Sequence, residues 1–94
     1  MRNAHDNRVD DNQGEIVKAL KKIGVKPISL GCVGDGCPDL LCGYKGLNIL
    51  IEVKNPETYG RLNTKQEKWH KTWPGQRAVV TNPDEALALF GITQ

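Results

Sequence analysis

Two carboxylates and one lysine stand at spacings that could support metal-assisted chemistry. Asp39 precedes one strand-like run, while Glu52 and Lys54 close a second run, and Lys45-Gly46 separates the two. A pair of this type is typical of a tight hairpin turn. If the turn is centred there, antiparallel pairing predicts that Asp39 lies directly opposite Glu52.

Facing carboxylates need a cation between them. Side chains paired across two strands have Cβ atoms roughly 5 Å apart, and like charges at that distance are destabilising. A divalent metal would remove the repulsion. Strand alternation places Glu52 and Lys54 on one face and Ile49, Ile51 and Val53 on the other. The alternative is a simple salt bridge between Lys54 and one carboxylate.

The elements that must position these residues can be read from apolar periodicity, turn residues and helix caps. Asn63 and Thr64 are the predicted capping residues of the second helix, Asn82 is that of the last helix, and Pro83 suits the first turn of the last helix. The order αβββαβα indicates an α/β fold in one domain, residues 1–94, with a flexible N-terminal segment at 1–10. The predicted elements are a helix at 11–24, strands at 27–30, 40–44 and 48–54, a helix at 64–72, a strand at 76–81 and a helix at 83–90.

Composition narrows the class of protein. The chain has 94 residues, 38% of them hydrophobic, and contains no apolar run of about 20 residues, so no membrane partner is expected. Met1 to Asp11 lacks the apolar core of a signal peptide, which predicts a cytoplasmic protein. A chain this short buries a small core, so a homodimer interface would add stability.

Charge is unevenly distributed along the chain. Between Tyr44 and Ala78 there are seven Lys or Arg and three Glu, whereas the first 43 residues hold six basic and six acidic side chains. The basic half is the predicted site for a polyanion such as nucleic acid. An ordinary solvated face is the alternative interpretation.

The three cysteines do not predict a disulfide scaffold. Cys32, Cys37 and Cys42 cannot all pair within one chain, so reduced thiols are expected. Their five-residue spacing differs from that of common zinc sites, and only His5 and His70 could complete a tetrahedral set. A structural zinc site is therefore a disfavoured alternative.

Three phrases together resemble the PD-(D/E)xK nucleases, and most closely their VRR-NUC branch. In that branch a G-x-PD, an E-x-K and a downstream glutamine follow in this order, and the likeness spans nearly the whole chain. It implies a restriction-endonuclease-like core, with a central mixed four-stranded sheet flanked by helices. The phrases are Gly36-Cys37-Pro38-Asp39-Leu40-Leu41, Ile51-Glu52-Val53-Lys54-Asn55 and Leu62-Asn63-Thr64-Lys65-Gln66-Glu67-Lys68-Trp69.

The resemblance assigns roles to the first group of residues. Asp39 and Glu52 would bind Mg²⁺ or Mn²⁺ together with the backbone carbonyl of Val53, since hard oxygen ligands suit these ions. Lys54 would orient or deprotonate the attacking water and offset charge on the phosphorane. No covalent enzyme intermediate and no organic cofactor are implied.

Two further assignments have capping alternatives. Gln66 corresponds to the helix glutamine of the family, which would position water or a phosphate near Lys54, but Asn63-x-x-Gln66 also fits a capping box. Glu15 matches an acidic residue on the first helix that contacts the metal directly or through water. Asn12-x-x-Glu15 has the capping-box spacing as well.

The remaining candidates are assigned by residue type. Asp35 is favoured as a turn residue over a metal or DNA contact. The face of the second helix that carries Trp69 and Trp73 is favoured for packing against the sheet over base stacking, and His70 is expected at the surface. Phosphate contacts are assigned to Arg61, Lys65, Lys68 and Lys71.

The resemblance also indicates a substrate. Stand-alone VRR-NUC proteins, many of them from phages, look like homodimeric Holliday junction resolvases, and a four-way junction has the two-fold symmetry of a dimer. The expected function is metal-dependent endonuclease cleavage of branched DNA in a bacterial or phage-infected cytoplasm, serving DNA repair or recombination. The alternatives are a flap-directed or less selective DNA nuclease and a non-catalytic nucleic-acid-binding module.

Overall fold

A computed structural model describes residues 4–58 and 61–92 as a four-stranded mixed sheet flanked by helices. The strand order is β1-β2-β3-β4, with antiparallel pairing except between β3 and β4, which are parallel. The predicted order αβββαβα is confirmed. The elements are α1 (Ala4–Lys22), β1 (Lys26–Ser29), β2 (Leu40–Tyr44), β3 (Leu47–Val53), a short 3₁₀ turn (Pro56–Thr58), α2 (Thr64–Thr72), β4 (Arg77–Val80) and α3 (Pro83–Ala88).

The β2–β3 hairpin has the predicted turn and register. Lys45 and Gly46 both adopt positive φ angles, 47° and 83°, which is the conformation of a two-residue type I′ turn. Tyr44 therefore pairs with Leu47, and the pairing continues in register to Leu40 and Ile51. Asp39 and Glu52 are the next residues on their strands, at the end of the hairpin away from the turn.

The hydrophobic core lies on one face of the sheet, beneath α1 and α3. Alternation along β3 sends its branched apolar side chains to this face, where two fully buried residues of α1, Ile16 and Leu20, pack with them. Glu52 projects to the other face, as predicted. The core comprises Ile16, Leu20, Val25, Leu40, Cys42, Ile49, Ile51, Val53, Val80, Ala86, Leu87 and Phe90.

The first helix begins earlier than the sequence predicts. α1 starts at Ala4 rather than at residue 11, so residues 4–10 of the segment predicted to be flexible are helical, and the remainder of that segment lies outside the described residues. The stretch is polar and lacks an apolar repeat, which is why periodicity misses it. Within the described part of the chain, no helix combines the length and apolarity needed to cross a membrane.

The second helix turns a different face to the sheet from the one predicted. His70 is buried, whereas Trp73 is 41% exposed and Trp69 is half-buried outside the core cluster. The prediction of a surface His70 is wrong, and the predicted core packing of the two tryptophans is not observed. Gln66 and His70 are four residues apart and share one helix face, and Gln66 points that face toward Glu52.

Candidate active site

Asp39 directly precedes β2, and its side chain is hydrogen-bonded to the end of β3. Its Oδ2 accepts a hydrogen bond of 2.8 Å from the backbone N–H of Val53, and its backbone carbonyl accepts one of 2.7 Å from Leu30. Pro38 before it is fully buried. The Val53 N–H thus holds the carboxylate beside the end of β3, while the hydrogen bond from Leu30 holds the backbone of Asp39.

Glu52 is a buried acid with one unsatisfied oxygen. The residue is 3% exposed; its Oε2 accepts a hydrogen bond of 3.0 Å from Gln66 Nε2, while its Oε1, when the carboxyl is ionised, is buried without a hydrogen-bond donor among the described residues. A buried oxygen of this kind is costly unless a proton or a cation satisfies it.

The two carboxyl groups interact strongly. Burial is the largest cause that raises the pKa of Glu52 to about 8; the negative charge of Asp39 raises it further, as does the hydrogen bond that protonated Glu52 makes with Asp39. The ammonium of Lys54 acts in the opposite direction and lowers this pKa. Asp39, Glu52 and Lys54 therefore form one electrostatic group, as the hairpin register predicts.

Gln66 closes the capping box of α2 and also contacts the carboxylate pair. Its Oε1 accepts from the backbone N–H of Asn63 at 3.0 Å, and its own N–H donates to Asn63 Oδ1 at 2.9 Å, which completes a capping box. Its Nε2 remains free to donate to Glu52. The cap holds the side chain in one orientation, and that orientation presents the amide to the buried carboxylate.

Lys54 is anchored through its backbone. Its N–H donates to the carbonyl of Val80 in β4 at 2.9 Å, and its carbonyl accepts from Asn12 Nδ2 of α1 at 2.9 Å. Asn12 lies well inside α1, so the capping role considered for Asn12 and Glu15 is excluded. The structure instead gives Asn12 a contact with the candidate site that local sequence spacing does not reveal.

Glu15 is placed apart from the carboxylate pair. It is exposed on α1, one helical turn after Asn12, and its carboxylate does not join Asp39 and Glu52 in a common cluster of described side chains. Val53 follows Glu52 directly and is buried in the core face of β3. The structure thus brings together Asp39, Glu52, Lys54 and Gln66.

Cys37 is a neighbour of the site that the cysteine spacing does not identify. The pKa of this half-buried thiol is raised by burial first and then by the negative charges of Glu52 and Asp39. Cys42 lies in the core, where burial raises its pKa to about 11, and Cys32 is exposed. The only sequence signal for Cys37 is its position two residues before Asp39.

The donors present fit a hard divalent cation. Two carboxylates lie side by side, one of them has a buried oxygen without a donor among the described residues, and the charge of Asp39 raises the cost of ionising Glu52. Among the described side chains, no group of three or more His, Cys, Asp or Glu is placed to hold a metal. A cation here would be bound by the two carboxylates and by oxygens from backbone or water.

The residues assigned to phosphate contacts are all exposed. Lys65 and Lys68, together with Asp35, Trp69 and Thr72, line a surface cavity of about 370 Å³ next to the N-terminal turn of α2. Asp35 has φ 55°, so the prediction of a turn residue is confirmed. The exposed phosphate-contact candidates are Arg61, Lys65, Lys68 and Lys71.

Comparison with known proteins adds no assignment. No protein-family model, curated protein or solved structure matches this chain. A functional proposal therefore depends on the geometry of the site and on the residue pattern that forms it.

Proposed function

We propose that this chain is a metal-dependent, structure-specific DNA endonuclease with a restriction-endonuclease-like core of the PD-(D/E)xK type. The observation that carries the proposal is the buried carboxyl of Glu52 beside Asp39, with one oxygen unsatisfied and a pKa raised to about 8. Perturbed acids of this kind are typical of functional sites. If the pair served only to stabilise the fold, replacing either acid by its amide would remove the charge repulsion and lower the free-energy cost of burial.

The bound cation would be Mg²⁺ or Mn²⁺, held by Asp39, Glu52 and the backbone carbonyl of Val53. When bound, it supplies Lewis-acid activation of water and of the scissile phosphate. The protein's own contribution is positional: the Val53 N–H fixes the Asp39 carboxylate, and the Gln66 amide fixes that of Glu52. Both carboxylates are therefore oriented before the substrate binds, which reduces the reorganisation needed for catalysis.

Lys54 supplies the cationic group of the site. Its backbone is hydrogen-bonded to β4 and to α1, so the side chain that carries the ammonium extends from a fixed position next to Glu52. As an ammonium it donates a hydrogen bond that orients the attacking water, and it offsets negative charge that develops on the phosphate oxygens; only as a neutral amine would it accept the proton of that water. Exposed lysines on α2 hold neighbouring phosphates without reading bases.

The proposed substrate is branched DNA, in particular a four-way junction, and the proposed active form is a homodimer. A four-way junction needs two symmetric incisions, which two identical sites related by a two-fold axis can make. The small core of a 94-residue chain is a further reason for a subunit interface. The proposed location is the cytoplasm.

A panel of labelled DNA substrates tests this function. Purified protein would be incubated with Mg²⁺ and a four-way junction, a flap, a duplex or a single strand, with Asp39→Asn as the inactive control. The wild-type protein is expected to make paired symmetric nicks in the junction, and Asp39→Asn is expected to make none. Cleavage of the flap but not the junction would replace the junction by the flap as substrate, and no cleavage of any DNA would overturn the nuclease proposal.

A further inference from the structure

The cavity beside α2 combines an aromatic side chain with two cations. Trp69 forms part of its wall, and Lys65 and Lys68 lie on the same helix around it. Its volume of about 370 Å³ falls within the roughly 300–1,000 Å³ that small-molecule sites occupy. Proteins that bind single-stranded nucleic acids commonly combine cations with aromatic rings: the cations contact the phosphates, and the bases stack on the rings.

The aromatic part of this cavity is held in place by its surroundings. The rings of Trp69 and Trp73 are stacked, with centroids 4.9 Å apart and planes 15° from parallel, and the His70 ring meets Trp69 at 72°. A Cβ on Gly75 would lie 2.8 Å from Trp73 Nε1, so glycine lets the chain fold back against this indole. The two indoles form a stacked pair outside the core.

The cavity is also fixed relative to the carboxylate pair. Gly36, at φ 79°, approaches the backbone of Lys65 so closely that a Cβ there would clash with its carbonyl. The glycine loop, residues 31–36, is therefore packed on the first turn of α2, and it brings Asp35 to the edge of the cavity. Gln66 follows Lys65 and reaches Glu52, so one helical turn connects the cavity to the site.

We propose that this cavity binds one unpaired nucleotide of the DNA substrate, with its phosphate on Lys65 and Lys68 and its base against Trp69. This inference rests on the proposed nuclease function and defines its substrate further: the strand that is cut must present an unstacked nucleotide near the scissile phosphate. Branch points and flaps offer such nucleotides at less cost than an intact duplex does.

Asp35 determines the orientation in which a nucleotide would bind in the cavity. Its carboxylate repels phosphate and accepts hydrogen bonds only, so the nucleotide binds with its phosphate at the lysines and an amino-bearing base edge toward Asp35. Cytosine offers an exocyclic amino donor where thymine offers a carbonyl acceptor. The cavity is thus expected to favour cytosine over thymine.

Binding of short oligonucleotides in the presence of EDTA tests the cavity separately from cleavage. Fluorescence anisotropy would compare labelled single strands of about eight nucleotides with strands of the same length made of abasic residues, using the full chain. Trp69→Leu is expected to weaken binding of the base-bearing strand about 5- to 100-fold and to leave the abasic strand unaffected. Lys65→Gln with Lys68→Gln should weaken binding of both strands.

Controls keep the result interpretable. Lys45→Gln removes one positive charge at the hairpin turn, at the opposite end of β3, and should change neither affinity. Asp35→Gly, which permits the positive φ, should abolish the preference for oligo-dC over oligo-dT. If Trp69→Leu does not fold, Trp69→Phe, whose smaller ring stacks less well, is expected to weaken binding of the base-bearing strand by a smaller factor and to leave the abasic strand unaffected.

The outcomes separate this proposal from the nuclease proposal. Wild-type protein that binds no oligonucleotide, or cavity variants that bind as the wild type does, would overturn the cavity proposal even if junctions are cut. Base-dependent binding that is lost in the cavity variants supports the cavity even if Mg²⁺ produces no cleavage, in which case the nuclease proposal fails alone.

Discussion

Gln66 donates a hydrogen bond of 3.0 Å to the buried carboxylate of Glu52, and the same side chain closes the capping box of α2. One side chain can serve the helix cap and also contact Glu52, because an amide has separate donor and acceptor atoms. The helix cap thereby becomes part of the candidate active site.

Replacing Gln66 should affect both stability and cleavage. Gln66→Ala removes the reciprocal cap and the donor to Glu52, so we expect a loss of about 1 kcal/mol in the free energy of unfolding and a fall in cleavage rate of about 10- to 100-fold. Asn63→Ala is the matched control, since it removes a cap but leaves the Gln66 amide present. Equal rate losses in the two variants would show that the cap alone matters.

The buried carboxyl of Glu52 should make metal-free stability fall as pH rises. In the unfolded chain this group loses its proton near its ordinary pKa of 4.5, whereas in the folded protein it keeps the proton up to about pH 8. The unfolded state therefore binds fewer protons between these values, and folding is progressively disfavoured as pH increases. Stability present at pH 5 is lost toward pH 8.

Urea unfolding at pH 5 and pH 8 measures this effect. Glu52→Gln imitates the protonated carboxyl, so its stability relative to the wild type should increase by about 2–4 kcal/mol between the two pH values. The pKa of His70 is lowered by burial and by Arg77, but this group is present in both proteins and its effect cancels in the difference. A difference that does not change with pH would contradict the raised pKa.

A divalent cation should stabilise the folded protein through the carboxylate pair. At a Mn²⁺ concentration ten times its dissociation constant we expect about 1.4 kcal/mol of added stability, or a rise in Tm of about 5 to 10 °C for a chain of this size. Thermal scans of wild type, Asp39→Asn and Glu52→Gln with and without Mn²⁺ measure it. The same rise in all three proteins would place the cation elsewhere.

Gly36 should be intolerant of a side chain for a reason that Gly34 does not share. Both glycines have φ near 80°, but a Cβ at Gly36 would clash with the Lys65 carbonyl oxygen, while one at Gly34 would meet nothing within 4 Å. Both alanine variants should lose about 1–2 kcal/mol from the left-handed conformation. Gly36→Ala should lose about 1–3 kcal/mol more through the clash, together with cleavage activity.

Chemical denaturation and cleavage assays of the two glycine variants provide the comparison. The difference between them isolates the contact between the glycine loop and α2, because the backbone strain is common to both. If Gly34→Ala is as damaging as Gly36→Ala, close approach to α2 is not what the loop requires.

The hairpin and the helix caps could be predicted because they depend on local chemistry. Lys45-Gly46 fixes a two-residue turn, the turn fixes the register, and the register places Asp39 beside Glu52. Asn63 and Asn82 fix where α2 and α3 begin. Each of these features needs only neighbours in sequence.

The features that could not be predicted depend on contacts between distant segments. The face that α2 turns to the sheet is set by Gln66 meeting Glu52, and this buries His70 and leaves Trp69 and Trp73 outside the core. The contact of Asn12 with the Lys54 carbonyl joins the first helix to the end of β3. The residue pattern within one helix does not specify which distant segment that helix will contact.

The most direct test of the central claim compares single-turnover cleavage of a labelled four-way junction by the wild type and Glu52→Gln with Mg²⁺. The variant keeps the shape of the side chain and removes the charge that would hold the cation. We predict cleavage by the wild type and a rate lower by more than about 100-fold in the variant. Equal rates in the two proteins would contradict a metal-dependent site at Asp39 and Glu52.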